Sequence, residues 1–215
     1  MKKGVYFVKS LEEDFATKTL KDHNKVTFQT LDNILRTKKI KPNTKSFGRK
    51  RRLACTIIHK NYLKTYRPQG IIFQTQEKPD YVLPFDLVLL SATNNIIVQY
   101  YRIKNNLHQY YGHALIEGFE KFIFKNFKSL IKTYSSTEKV WKAVNQFRKS
   151  KGYKVLKKQK YRLVLYNEAV FHKPIKIVPI AIFGYRKEAR ALAKKLGLAH
   201  YRSTKEFYEN RLKEI

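Results

Sequence analysis

Residues 84–104 run Pro84-Phe85-Asp86-Leu87-Val88-Leu89-Leu90-Ser91-Ala92-Thr93-Asn94-Asn95-Ile96-Ile97-Val98-Gln99-Tyr100-Tyr101-Arg102-Ile103-Lys104, which reads as two apolar strands joined by a short polar turn. Strands this apolar need cover on their faces, so the chain must build a sheet and pack helices on it. Asp86 sits at the mouth of the first strand, and Arg102 and Lys104 end the second. Two registers fit. If Leu90 pairs with Ile96, Asp86 lies opposite Tyr100, with Arg102 and Lys104 on its face. If Leu90 pairs with Asn95, Gln99 and Tyr101 share that face instead.

The flanking segments alternate in type. Residues 67–70 form a turn, residues 71–76 a strand, and residues 77–80 a second turn leading into the strand at 81–90. Apolar residues at helical spacing predict one long helix over 107–131. Thr137 opens a helix over 138–147. Strands follow at 161–171 and 176–183, then a helix over 188–196 that Gly197 closes. Ala199-His200-Tyr201 is a short link to Ser203-Thr204-Lys205-Glu206, a capping box for the last helix. Upstream, Ser10 opens a helix running to about residue 20, and Thr30 opens another that Pro42 breaks. Residues 47–63 read as a basic helix with Leu53, Ile57 and Ile58 as its stripe. This divides the chain into an N-terminal helical region, 1–46, and a core with C-terminal helices, 47–215. The fold class is α/β, a mixed sheet covered by helices.

Charge narrows the partner. Lys and Arg number 46 against 16 Asp and Glu, a net charge of +30 on 215 residues. Such a chain repels itself unless an anion is bound. Between Asp32 and Glu77 there are twelve basic residues and no acid, and between Glu138 and Glu168 ten and none. Ordinary surfaces mix both signs, so these stretches predict phosphate-binding footprints. Arg49, Lys50, Arg51 and Arg52 are the densest cluster and the expected nucleic-acid-binding residues. No apolar run reaches the ~20 residues of a membrane span. Cys55 stands alone, which excludes a disulfide framework and a thiolate zinc site and fits an intracellular protein, cytoplasmic or in a host cell.

The order αβββαβ over residues 47 to about 183, with Pro84-Phe85-Asp86 opening the second strand, resembles the PD-(D/E)xK nuclease superfamily, the restriction-endonuclease-like fold. The resemblance implies a Mg²⁺- or Mn²⁺-dependent endonuclease that hydrolyses DNA phosphodiester bonds, and a homodimer. In that family two carboxylates hold the metal and a lysine orients the nucleophile. Asp86 matches the first acid. The (D/E)xK position departs from the pattern: Gln99-x-Tyr101, Tyr100-x-Arg102 and Arg102-x-Lys104 all lack a carboxylate. Asp86, Gln99, Arg102 and Lys104 are therefore the expected catalytic set, with Glu117 and Glu120 as displaced metal ligands beside Asp86. Pro79-Asp80 is a literal "PD" placed in a turn. The alternative is a nucleic-acid-binding protein without catalysis, either RNA-associated or winged-helix-like with a hairpin over 71–83.

Overall fold

The structure, a computed structural model, describes residues 5–10, 34, 36–41, 53–65, 68–85, 118–157 and 165–212. It is mixed α/β, with largely antiparallel strands. The chain folds into two compact units interleaved in sequence: residues 1–41, 55–78 and 174–215 form the first, and residues 42–54 and 79–173 the second.

In the first unit β1 (Phe7–Ser10) lies between two antiparallel neighbours, β3 (Leu53–Ile57) and β4 (Gly70–Gln74). β4 also pairs antiparallel with β8 (Val178–Phe183), and β9 (Ala199–Tyr201) adds parallel to β8. A separate ladder joins β2 (Lys39–Ile40) to β7 (Ile175–Lys176). Val8, Ile72, Ala181, Phe183 and Phe207 build the core. Phe207 meets the rings of Tyr6 and Tyr201 edge-on, each at 5.2 Å, a geometry that suits the ring quadrupoles.

In the second unit β5 (Tyr81–Leu83) pairs antiparallel with β6 (Glu168–Phe171), and the backbone of Phe124 bridges to Val82. Two helices follow, α1 (Phe127–Thr133) and α2 (Thr137–Ser150). Phe122 centres the aromatic packing, with Phe85 at 5.0 Å, Phe147 at 5.5 Å and Tyr134 at 6.1 Å.

Local chemistry explains the helix ends. Ser136, one residue before the expected Thr137, caps α2 by accepting the N–H of Lys139. In the first unit, α3 (Lys187–Lys195) leads to α4 (Thr204–Arg211), and Ser203 caps α4 as the capping box predicts. Both α2 and α3 end in Schellman motifs. Gly152 (φ 74°) and Gly197 (φ 62°) take the left-handed turn, and Tyr153 N–H and Leu198 N–H reach back to the carbonyls of Arg148 and Ala193.

Several expectations are corrected. Leu53–Ile57 is a strand within the expected 47–63 helix. Leu53, Cys55 and Ile57 recur with period two, and Thr56 is buried as well, so both faces are covered, which a one-sided helix stripe cannot satisfy. The expected helix over 107–131 does not cross 118–126. Gly118 turns at φ 86°, Phe119–Phe122 is a 3₁₀ helix, and Ile123 and Phe124 run extended to bond Val82. Asn126 then starts α1 by accepting the N–H of Ser129 at 2.9 Å. Residues 165–167 precede the strand rather than belonging to it, and the strand expected over 176–183 is interrupted at Ile177, whose N–H bonds the Lys38 carbonyl. β1 and β2 lie where only helices were expected. β4 and β5 pair with different strands, so residues 71–83 do not close a hairpin. The expected helix over 10–20 and the strand over 95–104 lie outside the described residues, apart from Ser10, which ends β1.

His59 closes a tight bridge with Tyr62, and its Nδ1 accepts the N–H of Asn61 at 3.2 Å. Burial first, and the charge of Lys60 second, push its pKa below the usual 6.5. A depressed histidine pKa adds stability that is complete above the unfolded-state value and is lost as pH falls below it. Thermal unfolding is therefore expected at lower temperature at pH 5 than at pH 7.5. His59→Gln should shrink that difference, as read by calorimetry across the range.

Candidate nucleic-acid interface

α2 is amphipathic. Val140, Trp141, Val144 and Phe147 are buried, while Lys139, Lys142, Gln146 and Lys149 are exposed. At 100° per residue these four fall within an arc of about 80°, and the stripe is about 15 Å long. On α1, Lys128 and Lys132 are exposed and four residues apart, so they share one face. Glu138 is the single carboxylate between Lys121 and Lys157.

The chain after α2 is folded back by two polar side chains. Arg148 is wholly buried, and its Nε donates to the carbonyl of Lys154 at 3.0 Å. Its guanidinium stands 5.5 Å from the centre of the Tyr153 ring. Asn145 Oδ1 accepts the N–H of Leu156 at 2.9 Å. Exposed Lys151, Lys154 and Lys157 are thus carried on a segment tied to α2. Lys121 places its ammonium 4.2 Å from the centre of the Phe147 ring and 5.3 Å from that of Phe122, within cation–π reach. Burial first, then repulsion by Lys151, holds its pKa below the ordinary lysine value. A cation disfavoured in this way is relieved when phosphate binds beside it.

The acid-free stretch from Glu138 to Glu168 was visible in the sequence. Its organisation was not, because the fold-back depends on a buried arginine that composition counts as surface charge. Asp86, Gln99, Arg102, Lys104 and Glu117, and the cluster Arg49, Lys50, Arg51 and Arg52, lie outside the described residues. Glu120 lies in the 3₁₀ turn and not on the long helix face expected for it. Asp80 holds two strands together. Its Oδ2 accepts the N–H of His172 at 2.8 Å, and its own N–H bonds the Val170 carbonyl. The start of β5 is thereby clasped to the end of β6. Asp80→Ala is expected to lower stability by about 1 kcal/mol and to leave nucleic-acid affinity unchanged, by denaturant unfolding and anisotropy. Among the described residues no three His, Cys, Asp or Glu side chains gather as a metal site. Among the same residues no helix is long and apolar enough to cross a membrane.

No protein-family model, no curated protein and no solved structure matches the chain.

Proposed function

We propose that the protein binds nucleic acid, DNA in the first instance, through the lysine face of α1, α2 and the segment folded back on α2. The observation that carries this reading is the one-sided arrangement of Lys139, Lys142 and Lys149 on α2, with exposed Lys151, Lys154 and Lys157 on the segment tied to it. A net charge of +30 supplies the long-range attraction. Stripes of this kind grip phosphate and fix orientation, and carry no base sequence by themselves.

A second reading adds cleavage. In it Asp86 holds Mg²⁺ or Mn²⁺, with Gln99, Arg102 and Lys104 nearby, and the protein cleaves DNA as a dimer. Its support is the pattern of residues 84–104, together with Phe85, which is fully buried against Phe122 and so anchors the chain just before Asp86. The described carboxylates do not themselves assemble a metal site, so no catalytic step is built on them.

The two readings separate in one set of assays. Duplex, single-stranded and branched DNA, and RNA of matched sequence, are titrated by fluorescence anisotropy with EDTA present, then incubated with Mg²⁺ or Mn²⁺. Tight binding in EDTA without cleavage supports the first reading alone. Metal-dependent cleavage abolished by Asp86→Ala establishes the second. Binding no tighter than to an uncharged polymer would remove both, and a preference for RNA would redirect the first.

A further inference from the structure

The first unit contains a cleft of about 690 Å³. It is lined by three cations, Arg36, Lys38 and Lys195, and by the apolar Val178, Pro179, Leu196 and Leu198. Among the described residues no carboxylate lines it. We propose that this cleft binds a nucleoside phosphate monoester, with the phosphate among the three cations and the base against the apolar lining.

Backbone geometry fixes Lys38 in the lining. Lys38 holds φ 50°, the left-handed region that a side chain with a Cβ rarely adopts. It is pinned there because its carbonyl accepts the N–H of Ile177 at 2.8 Å, next to the β2–β7 ladder. Strained backbone of this kind persists where surrounding structure fixes it, and it clusters at ligand sites. The apolar lining is also exceptional. Val178 is 60% exposed although it begins a strand that is otherwise half-buried or buried. Leu196 and Leu198 flank Gly197 in the Schellman turn of α3, where Lys194 and Ala193 carbonyls are already bonded to the chain. Those carbonyls therefore do not oppose an anion with open acceptors.

Ligand size and chemistry follow. The volume lies within the range of about 300–1,000 Å³ typical of small-molecule sites. Arginine supplies a planar fork for phosphate oxygens, and lysine a point charge. Inorganic phosphate would leave the apolar lining wet, and a nucleoside would bring no charge to Arg36 and Lys38. A nucleoside monophosphate uses both. The same chemistry is presented by a free nucleotide and by the phosphorylated end of a strand. The site is independent of the α2 lysine face, which belongs to the other unit.

The test uses the full chain in isothermal titration with AMP, adenosine and orthophosphate. AMP is expected to bind at least about tenfold more tightly than either fragment. Val178→Asp and Arg36→Gln, both at surface positions, should each weaken AMP by about tenfold or more. Lys139→Glu on α2 should leave AMP binding unchanged. Competition of AMP by a 5′-phosphorylated oligonucleotide, but not by its unphosphorylated form, assigns the site to strand ends; failure of both to compete assigns it to free nucleotide. Equal affinity for AMP and orthophosphate, AMP binding indifferent to both cleft variants, or no AMP binding at all would overturn the proposal.

Discussion

Replacing Lys139, Lys142 and Lys149 together with glutamate is expected to weaken nucleic-acid binding by at least about a hundredfold near 0.1 M salt. All three are exposed on one face of α2, away from Val140, Val144 and Phe147. Circular dichroism and the unfolding midpoint should therefore stay close to wild type. The same change of charge at Lys173, Lys176 and Lys187, exposed and carried by other elements, removes the same net charge. It should cost far less affinity, because direct phosphate contacts outweigh charge that touches no phosphate once salt screens beyond about 8–10 Å. Equal losses in the two triple variants would mean that net charge, and not α2, is what the nucleic acid senses.

The second large effect concerns Arg148. Arg148→Ala is expected to destabilise the protein by about 3 kcal/mol, from the space its buried side chain leaves beside Tyr153 and a Lys154 carbonyl left without its donor. Denaturant unfolding at constant slope measures it. The loss should also reach function. With Nε gone, the segment bearing Lys151, Lys154 and Lys157 loses one of its ties to α2, leaving among the described residues the Asn145 bond and the backbone closure. Affinity should drop several-fold at temperatures where the variant remains folded. Arg148→Lys keeps the charge but not the planar fork, and should recover little of either loss.

The parts of the fold legible in the sequence are those decided locally. Gly197 ends α3 because a left-handed residue is needed there, and Ser203 with Glu206 starts α4 because side chains must meet the first N–H groups. β4 and β5 begin close to where the turns before them end. The parts decided by distant contacts were not legible. Leu53, Ile57 and Ile58 fit a helical stripe as well as a strand, and only pairing with Phe7 and Val8 settles the choice. Phe119, Phe122, Phe127 and Leu130 keep helical spacing although the Val82 bridge breaks the helix at Phe124. β9 is three residues long and exists because β8 offers it an edge. The site divides in the same way. The basic footprint after Glu138 was readable as charge, whereas the buried role of Arg148 depends on how the chain folds back to Lys154, and the clasp made by Asp80 on His172, far along the chain.

The central claim is that phosphate binds the lysine face of α2, and salt dependence tests it most directly. The affinity of a fluorescein-labelled duplex should fall linearly on a plot of log K against log salt concentration. In the variant Lys139→Gln, Lys142→Gln, Lys149→Gln the slope should become shallower by about 0.9 for each lysine that contacts a duplex phosphate. Binding that ignores salt, or a slope identical in wild type and variant, would contradict the account.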